Sequence, residues 1–299
     1  MGRRASGRLW ISLVGLPASL LATPLAAADI SVTTDPTAAN VSALGSVAAW
    51  SRRAADGTYR LVLREGGAIL DAPIKPSPHP FDPDVGTNGD GSLAIVYARC
   101  AGPRKDSGCD IHRFDFSTRT ESRFAAVSTA DLSETAPSYQ RGVLAFVRSG
   151  GAKERGVYFY RPGNMPRRVA EQRATETDLH ATKVVFAYHS GGRSYIRTVN
   201  RAGLENRIVA RGRLDPSGTG DVVRSPQVTR YYFIWVRNTP QAGTAIVQRS
   251  GKTSNRSRAP ATADRTFPNV TSMAADRTPV LYTSGGVQAV DPVPSFRPG

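Results

Sequence analysis

An all-β fold is what this sequence predicts, and three observations lead to it. The first is a pattern of two apolar, aromatic-rich runs separated by a polar turn, which occurs six times along the 299 residues. The second is the length of each run: SVAAWSR (Ser46 to Arg52), LAIVYAR (Leu93 to Arg99), VLAFVRS (Val143 to Ser149), VVFAYHS (Val184 to Ser190), YFIWVRN (Tyr232 to Asn238) and PVLYTSG (Pro279 to Gly285) are too short for helices and rich in β-branched and aromatic residues. The third is the interval. The central residues Trp50, Val96, Phe146, Phe186, Trp235 and Tyr282 stand 46, 50, 40, 49 and 47 positions apart, the period of a β-propeller blade. The expectation is a six-bladed β-propeller of four-stranded antiparallel blades. A tandem pair of β-sandwiches is the alternative, but the regular interval across the whole chain weighs against it.

The first 28 residues read as a leader. Arg3, Arg4 and Arg8 form a basic start, Leu9 to Leu25 is apolar, and Ala26, Ala27 and Ala28 supply small residues before Asp29. Cleavage after Ala28 is expected. An uncleaved anchor is the other reading of this stretch, and Pro17, Pro24 and the alanines oppose it. No apolar pair closely follows Arg3 and Arg4, which speaks against twin-arginine export, and the absence of cysteine at the cleavage point speaks against a lipoprotein. Residues 29–299 then form one domain with a short Pro-rich tail, secreted or held in the periplasm or cell envelope, monomeric and without a membrane span.

Within each predicted blade the marker run is the second strand and is followed by a third, such as TYRLVLRE (Thr58 to Glu65), CDIHRFDF (Cys109 to Phe116) and SYIRTVNR (Ser194 to Arg201). Outer strands follow in TESRFAAV, MPRRVAEQ and ENRIVARG, polar and arginine-studded as exposed edges should be. The last repeat has no room for a fourth strand after Val290. DISVTT (Asp29 to Thr34) is therefore expected to pair with Gly286 to Pro292, closing the ring through both chain ends.

The formal net charge is +15, and +12 once Arg3, Arg4 and Arg8 leave with the leader. Arginines lie in nearly every blade and no run of five basic residues occurs, so the pattern points away from nucleic acid and toward solubility and anionic envelope polymers. Cys100 and Cys109 are the only cysteines and bracket the loop CAGPRKDSGC. In an exported chain they are expected to pair, closing a ten-residue loop worth about 2.5 kcal/mol in the chain-entropy model. Zinc would need four ligands, and His112 is the only histidine close to the pair.

The NGDG turn (Asn88 to Gly91), the buried aromatic strand after it, the hairpin and the closure through the chain ends together resemble the TolB-type six-bladed propellers. The turn motif is clear in the second repeat and faint in AADR (Ala274 to Arg277). The α/β domain that precedes the propeller in TolB has no counterpart in this sequence. The resemblance implies an exported propeller that binds a protein or another ligand.

In a propeller the segments entering the innermost strands converge on the central channel. These carry the binding candidates Asp82, Asp84, Glu134, Glu176, Asp178 and His180 in repeats two to four, with Arg224, Asn269 and Asn40 in the others. No cofactor is predicted, though such carboxylates suit a hard cation such as Ca²⁺. Their commoner role is to accept backbone N–H groups in turns. No catalytic residue is assigned, because the sequence contains no G-x-S-x-G and no H-E-x-x-H, and His79, His112, His180 and His189 are scattered. The leading expectation is a non-enzymatic propeller that binds a protein or envelope polymer on its channel face. The alternative is a hydrolase or lyase using Asp82, Glu134 and Asp178, with or without a divalent ion.

Overall fold

The structure is a computed structural model that describes residues 30–290 except 105, 216, 218–219, 242, 251–261, 268–272, 276–279 and 284–286. The expected leader, the Pro-rich tail and Asn269 lie outside the described residues. After β1 (Ile30–Thr33) come four strands that pair in order as one sheet, β2 (Ala39–Leu44), β3 (Val47–Arg53), β4 (Tyr59–Glu65) and β5 (Ala68–Asp71). The second sheet is β6 (Asp84–Thr87), β7 (Leu93–Cys100), β8 (Cys109–Asp115) and β9 (Thr120–Arg123). The third is β10 (Ser133–Gln140), β11 (Val143–Ser149), β12 (Gly156–Tyr160) and β13 (Arg167–Ala170). The fourth is β14 (Ala174–His180), β15 (Lys183–Ser190), β16 (Arg193–Asn200) and β17 (Arg207–Arg213), and the fifth is β18 (Val222–Val228), β19 (Tyr232–Thr239), β20 (Gly243–Ser250) and β21 (Thr262–Phe267). Every pairing is antiparallel.

The expected count of six blades is corrected to five. Five blades are each built from four strands consecutive in the chain. What remains is a composite sheet of short strands, in which β22 (Met273–Ala275), β23 (Val280–Thr283) and β24 (Val287–Val290) are joined by β1 from the opposite chain end. The reason lies in what the marker strand reports. An apolar run such as PVLYTSG registers as a blade centre even where its neighbours are only three or four residues long. The two chain ends do pair antiparallel, with Ile30 opposite Ala289 and Thr33 opposite Val287. The composite sheet stands between blade 5 and blade 1, where β22 touches both β18 and β2.

The core lies between blades rather than within them. Trp50, Val96, Phe146, Phe186 and Trp235 are all at most 2% exposed, so the marker positions identified the blade centres correctly. Leu61, Leu63, Phe81, Ile95, Tyr97 and Phe114 fill the space between blades 1 and 2, and Val147, Val157, Val184, Phe186 and Val199 that between blades 3 and 4. Burying each large apolar side chain contributes about 1.5–3 kcal/mol, which fixes the strand faces and so the direction of every innermost strand.

Candidate functional site

The innermost strands β2, β6, β10, β14 and β18 line a cavity of about 740 Å³. Two of them are interrupted by proline at equivalent positions, Pro137 in β10 and Pro226 in β18. Proline has no N–H to give the ladder, so pairing with the second strand breaks there, between Thr135 and Ser138 and between Arg224 and Gln227. The residue before each proline takes a left-handed backbone, Ala136 at φ 47° and Ser225 at φ 49°. Asn40, at φ 54°, does the same in β2, where the ladder breaks between Ala39 and Ser42. Strained backbone of this kind persists only where its surroundings hold it.

What holds it is a pair of carboxylates from the preceding blade. The Ala136 N–H donates to Asp82 Oδ2 at 2.7 Å and the Tyr139 N–H to Asp84 Oδ2 at 2.6 Å. One blade pair further on, the Ser225 N–H donates to Glu176 Oε2 at 2.5 Å and the Val228 N–H to Asp178 Oδ2 at 2.6 Å. The geometry repeats because the sequence does: an acid, one residue, an aspartate, met by the amides at the bulge and three residues later. The other carboxylate oxygens are also engaged. Asp82 Oδ1 accepts the Ala98 N–H at 2.7 Å, Asp84 Oδ1 the Ser42 hydroxyl at 2.9 Å, and Asp178 Oδ1 the Ser138 hydroxyl at 3.1 Å. Ser42 and Ser138 in turn accept the N–H groups of Val85 and Leu179 in the next blade. The inner strands are close enough that a Cβ at Gly86 would strike the Tyr139 carbonyl.

These carboxylates are thus staples between blades, bonded by charge-assisted hydrogen bonds of the stronger kind. Burial pushes Asp82 up to about 6 against the pull of the Ala98 and Ala136 amides. It pushes Asp84 up to about 7, with the charge of Asp178 adding to the effect.

The candidates from the sequence divide into three groups. Asp82, Asp84, Glu176, Asp178 and Asn40 line the cavity together. Glu134 does not: it is fully buried, accepting from Arg148 Nε at 3.1 Å and the Thr129 hydroxyl at 2.9 Å, with burial raising its pKa. His180 sits at the far end of β14, its Nδ1 3.3 Å from the Gln140 amide nitrogen, and Arg224 lies on β18 outside the cavity lining. Arg173, His189 and Asp106 were not singled out for a site, yet all three are exposed and line the cavity. The legible signal was positional, since the ends of the marker strands reach the same mouth through Cys100, Ser149 and His189. Among the described residues no group of three or more His, Cys, Asp or Glu side chains is arranged to hold a metal ion.

The loop from Cys100 to Cys109 forms part of this rim. The two cysteines are joined in a disulfide, and they stand opposite each other in the β7–β8 ladder. His79 Nε2 lies 2.8 Å from the Gly102 carbonyl oxygen and ties the loop to the connection entering blade 2.

No family model matches the sequence, and no curated protein matches it. Among solved structures the chain is similar to puromycin hydrolase, at 12% identity and a TM-score of 0.52 over 87% of this chain and 55% of that one. It is similar also to a puromycin-hydrolysing peptidase of Mycobacterium tuberculosis, at 11% identity and a TM-score of 0.50 over 88% of this chain and 55% of the peptidase. The Dos1 propeller matches at 11% identity and a TM-score of 0.49, over 84% of this chain and 67% of that one. The chain spans a little over half the length of the two hydrolases. At these identities the likeness is one of fold. The chain is a β-propeller with four-stranded antiparallel blades.

Proposed function

We propose that the protein is an exported TolB-type propeller without enzymatic activity, which binds a protein or envelope polymer over the mouth of its channel. One observation carries this reading: the channel acids are occupied in holding the blades together. Asp82, Asp84, Glu176 and Asp178 each accept a backbone amide of the following blade, which makes the wall a rigid platform. Asp106, Arg173, His189, Thr135 and Thr175 at the cavity surface then provide the contacts to a ligand. One further point supports export: the disulfide suits an oxidising compartment.

The test is a pull-down from the native cell envelope with the mature protein and with a variant carrying Arg173→Glu and His189→Glu. Partners retained by the former and lost by the latter support the reading. Identical retention by both would place the binding surface elsewhere.

A second reading, a hydrolase or lyase, draws on Asp84, since a carboxyl held up to about 7 beside Asp178 is suited to proton transfer near neutral pH. Turnover of an oligosaccharide or lactone that disappears in Asp84→Asn, while the melting temperature is kept, would favour it over binding alone.

A further inference from the structure

The outer strand pair of blade 4 carries cations in a pattern that the other described blades lack. Arg193 on β16 is directly opposite Arg213 on β17, and Tyr195 is opposite Arg211. Side chains at these positions point to one face of the sheet, and Arg211 and Arg213 are successive residues on it, about 7 Å apart. Arg193, Arg211 and Arg213 are exposed. Arg197 lies further along the same face of β16, and its Nε is buried without a hydrogen-bond partner among the described residues. The Tyr195 ring stacks on Tyr188, with centroids 4.9 Å apart and planes within 12°.

Like charges directly opposite one another destabilise a sheet, and other blades relieve comparable arginines with acids. Asp71 on the outer strand of blade 1 pairs with Arg52, Asp110 in blade 2 with Arg123, and Glu171 beside the outer strand of blade 3 with Arg168. None of Arg193, Arg197, Arg211 and Arg213 has such a partner among the described residues. Arginine on an edge strand also deters sheet-to-sheet association, but one or two residues suffice for that and a matched cross-strand pair is not required.

We propose that this edge is a docking surface for a linear anionic polysaccharide, whose carboxylates, repeating along the chain, bridge the row of Arg193, Arg213 and Arg211. The surface is one strand pair wide with cations in a row, which fits a chain laid along the edge better than a membrane plane. It adjoins the channel mouth at one end, where Arg193 stands opposite Ser190 beside the cavity-lining His189, and runs outward from there along the outer strand pair.

The experiment measures binding of polygalacturonate to the mature protein by fluorescence anisotropy or calorimetry, with neutral dextran as the control chain. Binding to polygalacturonate and not to dextran is expected, weakening on the order of tenfold between 50 and 200 mM salt. Arg211→Ser with Arg213→Ser should weaken binding at least tenfold at an unchanged melting temperature, Arg211→Lys with Arg213→Lys should restore most of it, and Arg173→Glu at the channel mouth should leave it intact. Equal affinity in the double serine variant, equal binding of dextran, or binding confined to phosphatidylglycerol vesicles or single-stranded DNA would overturn the proposal. Loss with Arg173→Glu alone would transfer the site to the channel and support the function proposed above instead.

Discussion

Blades 2 and 4 use the same residue type in opposite ways. In blade 2 the outer strand contributes Glu121, whose Oε1 accepts the Tyr97 hydroxyl at 2.7 Å and two Arg99 nitrogens at 2.6 and 3.0 Å, with His112 Nδ1 at 3.4 Å. Arg99 also lies over the Phe81 ring and reaches the disulfide loop through its neighbour Cys100. In blade 4 the corresponding strands set arginine against arginine with no acid between them. The first arrangement closes a blade; the second leaves charge facing outward. A strongly basic composition therefore says little by itself, and the cross-strand neighbour of each arginine decides whether it is scaffold or surface.

The sharpest way to break the contrast is to remove the acid from blade 2. Glu121→Ala leaves the Tyr97 hydroxyl and the Arg99 guanidinium without their acceptor in a partly buried setting, and is expected to cost about 2–3 kcal/mol. In a domain of this size that lowers the melting temperature by roughly 4–12 °C. The pH dependence has a definite sign. Burial pushes Glu121 up, but hydrogen bonds from His112, Tyr97 and Arg99 outweigh it and hold the group at about 2, below its ordinary 4.5. Its contribution is present above about pH 4.5 and is lost as pH falls toward 2, so acid unfolding should come at higher pH in the variant. Unaltered melting and acid unfolding would show the cluster to be ornamental.

The disulfide is the next test, with an expected effect of about 2.5 kcal/mol from the chain-entropy model. Cys100→Ser with Cys109→Ser should lower the melting temperature while far-ultraviolet circular dichroism stays unchanged, because the β7–β8 ladder continues beyond the bridge. Mass spectrometry without reductant should find the wild-type chain two hydrogen atoms lighter than its thiol form. Free thiols in protein from the native compartment would contradict both the pairing and the oxidising destination.

How much of this was legible in the sequence depends on how local the cause is. Trp50, Phe146, Phe186 and Trp235 announced the blade centres, because burial on both faces forces an unbroken apolar run into a strand. Cys100 and Cys109 announced their bond because one hairpin brings them together. The count of blades was not local: it depended on whether the short strands around PVLYTSG complete a unit, which an apolar run cannot report. The channel acids were found as residues, with acceptance of backbone N–H groups in their own turns expected as the commoner role. Their actual partners, Ala136, Tyr139, Ser225 and Val228, are 49 to 55 residues away and are set by bulges at Pro137 and Pro226. The arginine pair of blade 4 was hidden for the same reason, since Arg193 and Arg213 become opposite only once the β16–β17 register is known.

The channel responds to pH in the sense opposite to Glu121. Asp82 and Asp84, held up to about 6 and about 7 by burial and, for Asp84, by Asp178, bind protons more readily in the folded protein than in the unfolded chain. Their contribution to stability is complete below about pH 4 and is lost as pH rises through 6 to 7. Melting followed from pH 5 to pH 8 should therefore fall with rising pH, and Asp84→Asn should flatten the slope. An unchanged slope in the variant would mean that the amide and hydroxyl donors, not burial, dominate that carboxylate and keep it ionised across this range.

The smallest expected effect belongs to blade 4, and its smallness is the point. Arg213→Ser removes an exposed side chain with no partner among the described residues and relieves the charge of Arg193 opposite it, so stability should change by less than about 0.5 kcal/mol, if anything upward. Arg99→Ser in blade 2, with equal loss of charge, should cost about 1.5–3 kcal/mol because Glu121 is left without its cation. Chemical denaturation of the two variants side by side measures that difference directly. A loss at Arg213 as large as that at Arg99 would mean that blade 4's arginines hold the fold as blade 2's do, and the distinction between scaffold and surface would fail at the residue on which it rests most.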